Sequence, residues 1–197
     1  MNIRLPAVPE MVGISLVEYL QNVWPEYDGD NEIVGDMAVY VSIAEQRAYI
    51  FSKFSMCAIY NVSTGANPPC NTQNSNGTPL GWHEISEKYG DGAPEGTVFI
   101  ARQSTGSHFT AYDDWQTKGY VTTRILRLRG LEMGKNAGLD ENGHCCDTYD
   151  RYIYFHGSCF PEKLGSPHSM GCINMSSADI VKLYELLPEQ TRVYIGP

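Results

Sequence analysis

The stretch Tyr152-Ile-Tyr-Phe-His156-Gly-Ser-Cys-Phe-Pro-Glu-Lys-Leu-Gly165-Ser-Pro-His-Ser-Met-Gly-Cys172-Ile-Asn-Met175 decides how this chain is read. Its apolar opening, Tyr152-Ile-Tyr-Phe155, predicts a strand that leads into His156. The Gly-, Ser- and Pro-rich middle predicts an irregular loop. Beyond Cys172 the pattern changes to helical. Ser176 is placed to cap, Asp179 falls in the first turn, and Ile180, Leu183, Tyr184 and Leu187 share one face before Pro188 stops the run. Thr191-Arg-Val-Tyr-Ile195 then reads as a last strand. The central loop is therefore expected between a β core and a packed helix.

Working outward, Met37-Ala-Val-Tyr-Val-Ser-Ile43 and Ala48-Tyr-Ile-Phe51 flank the polar Glu45-Gln-Arg47 as a hairpin does, and a third strand is expected from Met56 to Val62. Ser63 to Gly81 concentrates Gly, Pro, Asn, Ser and Thr, which predicts a long surface loop. Short apolar runs at Thr97 to Ala101 and Val121 to Leu128 predict further strands. The N-terminal residues 1–35 read as a helical lead-in, with a helix from Met11 to Val23 ended by Trp24-Pro25 and an acidic loop from Glu26 to Glu32. Residues 36–197 then form the main domain, mostly β with a few short helices.

The 197 residues, 42% of them hydrophobic, suffice for a core without staples. A net charge of −9 disfavours nucleic acid and anionic lipid as partners. No run long and apolar enough to span a membrane is visible, nor a signal peptide. The six cysteines include no CxxC pair, and the adjacent Cys145 and Cys146 are expected to be reduced or paired elsewhere, since a bridge between them would be strained. His144, Cys145, Cys146, Cys159 and His168 lack finger spacing, so neither a metal nor a cofactor is expected.

The chemistry lies in the central loop. A thiol becomes a strong nucleophile when a neighbouring imidazole takes its proton, and a strand ending at His156 would hold that imidazole still for Cys172. Gly157 would support the base through its backbone. Gly171 would let a backbone N–H approach a developing oxyanion. A lone Cys and a lone His are usually packing residues, but here two histidines, a serine and glycines share one irregular loop, where packing alone would not gather them. A papain-like protease places its His downstream of its Cys, the opposite order. His83 and His108 read as surface or loop residues, and Arg124, Arg127 and Arg129 as a solvated strand face.

The segment resembles the signature of the L,D-transpeptidase (YkuD-like) catalytic domain, a His-Gly pair followed after a loop by Ser/Thr-His-Gly-Cys-hydrophobic-Asn/Arg. His156-Gly157, Ser169, Gly171, Cys172, Ile173 and Asn174 carry it. Thr78-Pro-Leu-Gly81, Val121 to Leu128 and Arg151 to Gly157 are also similar to the family, so the resemblance spans about residues 37 to 196. One position departs: Met170 stands where the family has His, with a histidine displaced to His168. The resemblance implies a β-sandwich or barrel-like domain, with Cys172 as nucleophile and His156 as general base. It implies supporting or substrate-binding roles for Ser169, Asn174, His168 and Met170.

It further implies acyl transfer on diaminopimelate-containing peptidoglycan stem peptides, transfer to water (L,D-carboxypeptidase) or to an amine, carbapenem β-lactams as covalent inhibitors, and a place in the periplasm or cell envelope. The rival expectation is an inactive or zinc-binding wall-interaction domain.

Overall fold

The computed structural model describes residues 37–52 and 55–197. The expected helix from Met11 to Val23 and the acidic loop after it lie outside them. Strands dominate, as the sequence predicts: β1 Met37–Ser42, β2 Arg47–Ser52, β3 Ser55–Asn61, β4 Gly81–Tyr89, β5 Thr97–Ile100, β6 Gln103–His108, β7 Val121–Gly130, β8 Tyr154–Gly157, β9 Ile173–Met175 and β10 Arg192–Gly196. Among the described residues there is a single α-helix, α1, Ser177–Leu186.

All ten strands belong to one curled sheet, ordered β3-β2-β1-β10-β4-β7-β5-β6, with β8 and β9 branching from β7. The last strand in sequence lies in the middle of this order, parallel to β1 and antiparallel to β4. β7 is the hub. Arg127 pairs with Glu87 of β4 and with Tyr154 of β8, so those two strands occupy opposite edges of β7. The pairing of β7 with β8 slips between Thr122 and Ile125. Thr123 sits in this bulge at φ 69°, where a β-branched residue is strained by about 1–3 kcal/mol. Its hydroxyl oxygen accepts from the Gly96 N–H (3.0 Å) and meets Ser177 Oγ (2.9 Å), contacts that hold the strained residue in place.

α1 forms where its pattern predicts. Ser176 Oγ accepts from the Asp179 N–H (3.1 Å), and Ile180, Leu183 and Tyr184 are buried against the sheet. At the other end the Lys88 ammonium donates to the carbonyls of Tyr184 and Leu187, satisfying acceptors that a helix terminus leaves open. The core under the helix is built from Ile85, Leu126, Leu128, Phe155, Ile173 and Val193, all fully buried.

Two expectations fail for tertiary reasons. His83 is not a surface residue: it is fully buried in β4, donating from Nδ1 to Gly81 O (2.9 Å) and accepting at Nε2 from Thr148 Oγ1 (3.1 Å). The arginines of β7 are not a solvated face either. Only Arg129 is exposed. Arg124 and Arg127 are buried; Arg124 donates to the Ala93 and Thr123 carbonyls, and Arg127 pairs with Glu87 (3.0 Å) while stacking 3.2 Å from the Tyr149 ring centroid.

Candidate active site

The site is assembled by the period-two alternation of β8 and β9. These short strands run parallel, Phe155 opposite Ile173 and His156 opposite Asn174. One face carries Ile153, Phe155, Ile173 and Met175 into the core. The other face therefore turns His156, Asn174 and the adjacent Cys172 towards a common cleft of about 580 Å³. The pairing of β8 with β9 is thus what brings the candidate base and the candidate nucleophile together.

His156 is 6% exposed, and its Nδ1 lies 2.9 Å from the Gly157 carbonyl, which can only accept. Nδ1 therefore carries the proton and Nε2 is left with a free lone pair. Burial depresses the imidazole to a pKa of about 4, and the bond to Gly157 opposes that only in part. The Gly157 carbonyl also accepts from Thr122 Oγ1 (2.7 Å). A Cβ at Gly157 would lie 2.7 Å from Thr123 Oγ1 and 2.8 Å from Thr122 Oγ1, so only glycine permits this close approach of β8 to the bulge.

Cys172 is half-buried against Phe99, Ile125 and Tyr154. Its thiol donates to Tyr152 O (3.5 Å), and Tyr152 is itself held at φ 57°. Burial pushes the thiol up to about 11, outweighing the Tyr154 N–H and the Arg151 charge, which favour the thiolate. At neutral pH the cleft therefore holds a neutral thiol and a neutral imidazole.

The turn that carries Cys172 is locked from several sides. Ser169 Oγ donates to Cys172 O (2.5 Å) and accepts from the Gly171 N–H (3.1 Å). That N–H, expected to face a developing oxyanion, is thus already engaged within the turn. Gly171 adopts φ +111°, and a Cβ there would approach Gly77 O to 3.1 Å. Thr78 Oγ1 donates to Gly171 O (2.9 Å) and accepts from the Gly65 N–H (2.8 Å). Ser169 also exchanges backbone bonds with Thr64 and Ala66, and Asn174 with Ser63, so the long 63–81 loop is laced to the reactive segment.

Arg151 was not singled out from the sequence, yet it fastens this loop. Its guanidinium donates to the carbonyls of Cys70 (2.9 Å), Asn71 (2.8 Å) and Gly77 (2.7 Å), and to Ser75 Oγ (3.2 Å). No local pattern announces this role, because all four partners lie in the distant loop. Thr117 to Tyr120, which wall the cleft, were likewise missed.

The remaining expected residues take lesser places. Met170 is 77% exposed and lines both the cleft and a smaller hollow of about 240 Å³ beside Arg151 and Tyr152. His168 is exposed and packs edge-on against Phe160 (5.6 Å). Asn174 Oδ1 is buried at the cleft wall without a hydrogen-bond partner. Among the described residues all six cysteines are free thiols, no cluster of His, Cys, Asp and Glu suits a metal, and no helix is long and apolar enough to cross a membrane.

The sequence profile of the L,D-transpeptidase catalytic domain (YkuD) matches residues 36–195. No curated protein matches the chain. Solved structures of similar fold include L,D-transpeptidase 3 from Mycobacterium tuberculosis in complex with a faropenem-derived adduct, 12% identical, with a TM-score of 0.50 over 82% of this chain and 60% of that one. An L,D-transpeptidase in complex with imipenem is 13% identical, TM-score 0.50, over 82% of this chain and 59% of that one. An L,D-transpeptidase from Mycobacterium smegmatis is 13% identical, TM-score 0.49, over 82% and 59%. At these identities the likeness is one of fold, and the chain spans about 60% of the length of these structures.

Proposed function

Because the chain belongs to the L,D-transpeptidase catalytic-domain (YkuD) family, we propose that it is a cysteine acyltransferase acting on peptidoglycan stem peptides. The Cys172 sulfur attacks the carbonyl at the L-centre of the third stem residue while His156 Nε2 takes the thiol proton. The C–N bond to D-alanine then breaks, His156 returns the proton to the leaving amine, and a thioester remains on Cys172. An amine from a second stem attacks the thioester to give a 3→3 cross-link and restore the thiol. Water in its place gives L,D-carboxypeptidase activity. Carbapenems acylate the same sulfur, and the working place is the periplasm or cell envelope, where the wall substrate lies.

The observation that carries this reading is the fixed tautomer of His156. A buried imidazole whose Nδ1 is committed to Gly157 O keeps its basic nitrogen for the cleft it shares with Cys172. Intact-protein mass spectrometry after incubation with a tetrapeptide stem tests the proposal. An adduct of the tripeptide acyl mass on Cys172, absent from Cys172→Ala, is expected. D-Alanine release by purified Cys172→Ala would overturn it. Fractionation of the host cell tests the location, with recovery in the envelope expected.

A further inference from the structure

Beside the reactive cleft lies a second hollow of about 490 Å³, walled by the rings of Phe109, Trp115 and Phe160 and rimmed by Thr110, Gln116 and Glu162. Its volume is within the range of small-ligand sites. The three rings are half-buried while the rim residues are exposed. Phe109 stacks on His108 (4.3 Å) and meets Trp115 edge to face at 5.2 Å, so Phe109 braces the Trp115 ring at the hollow. The two hollows share Cys159 and Phe160, and a single segment walls both: Phe109, Thr110, Trp115 and Gln116 face the aromatic one, Thr117 to Tyr120 the reactive one.

Flat aromatic faces within a ring of hydroxyl, amide and carboxylate groups match a pyranose. Its C–H face stacks on the negative face of an aromatic ring, while its equatorial hydroxyls reach the polar edge. The carboxylate of Glu162 on the rim and the net charge of −9 favour an uncharged ligand over an anionic one. A glycan of N-acetylated amino sugars is uncharged and is the polymer to which a wall stem peptide is attached. We infer that the Phe109–Trp115–Phe160 hollow is a glycan subsite, which holds the N-acetylhexosamine chain adjoining the stem whose carbonyl Cys172 attacks. The inference rests on the acyl-transfer reading for the second half of its statement only, since sugar binding can be measured without turnover.

Two measurements decide it. The first compares KM for a bare tetrapeptide with KM for the same peptide carrying its disaccharide. The wild-type protein is expected to prefer the disaccharide form about tenfold, as stacking on the Trp115 face would supply. Trp115→Ala should erase that preference without changing kcat/KM for the bare peptide, and Trp115→Phe, which keeps a ring face, should restore most of it. Equal KM values in the wild type, or an equal loss on both substrates in Trp115→Ala, would overturn the inference. The second measurement is calorimetric titration of Cys172→Ala with N,N′-diacetylchitobiose, an uncharged disaccharide of N-acetylhexosamine. Saturable binding that weakens about tenfold in Cys172→Ala/Trp115→Ala supports the subsite even if the acyl-transfer reading fails. Absence of binding in the first protein refutes the subsite even if that reading holds.

Discussion

The buried imidazoles make the fold sensitive to acid in a range where most proteins are indifferent. His83, fully buried, has its pKa lowered to about 3 by burial, and His156 to about 4. In the unfolded chain both would take up protons near pH 6.5. Between pH 6.5 and about 4 the unfolded state thus binds protons that the folded state refuses, so stability is full above pH 6.5 and falls as the pH drops. From pH 7 to pH 5 each histidine removes about 2 kcal/mol, and the pair about 4 kcal/mol, a large share of the roughly 5–15 kcal/mol that holds a domain folded. His83→Gln isolates one contribution. Its amide can still donate to Gly81 O and accept from Thr148 Oγ1 but does not titrate. Urea denaturation followed by circular dichroism at pH 7 and pH 5 should show the wild type losing about 2 kcal/mol more than His83→Gln over that interval. Carboxylates common to both proteins cancel in the difference. If the two proteins lose the same amount, His83 is not held neutral in the fold, and the argument from burial is wrong.

Turnover should follow the same logic: with His156 neutral down to about pH 4, kcat/KM is expected to be flat from pH 5.5 to 8, and an acid limb near 6.5 would contradict the depressed imidazole. Gly157→Ala drives a methyl into Thr122 and Thr123, so it should cost about 1–3 kcal/mol in urea melts and at least roughly a hundredfold in acyl-transfer rate. Arg151→Met deletes the donors to four partners in the 63–81 loop and should cost about 3 kcal/mol, with Arg151→Lys recovering less than half, because an ammonium cannot fork across that many acceptors. Met170→His should alter the rate by about tenfold or less in a D-alanine release assay, since Met170 is solvent-exposed at the cleft wall and a supporting hydrogen bond typically supplies about 1.4 kcal/mol.

What could be read from the sequence was what is encoded locally. α1 announced itself through its period, its Ser176 cap and Pro188, and the β1–β2 hairpin through two apolar runs about a polar turn. β4 escaped notice because Glu84, Glu87 and Lys88 give Gly81–Tyr89 a polar look, and their partners, Arg192, Arg127 and the end of α1, come from elsewhere in the chain. β6 is polar and largely exposed, with no apolar face to betray it. The burial of Arg127 depends on Tyr149 and Glu87, which sequence spacing does not connect to it. That His156 and Cys172 share one cleft was legible because their motif is compact. Arg151, Thr78 and the bulge at Thr123 act through contacts that only the fold creates.

The lacing of the 63–81 loop onto the reactive turn also bears on when the site comes into being. Thr78 and Gly171, whose bond holds the turn, are 93 residues apart, and the sheet joins its β1–β3 part to the rest only when β10 slides between β1 and β4. Contacts of such long range carry a high loop-closure cost and form late in folding. Until they do, nothing holds the segment around Cys172 in the cleft wall opposite β8, and a partly folded chain carries six solvent-accessible thiols. The cleft that His156 and Cys172 share is thereby tied to completion of the whole domain, and an unfinished or misassembled chain would not present it.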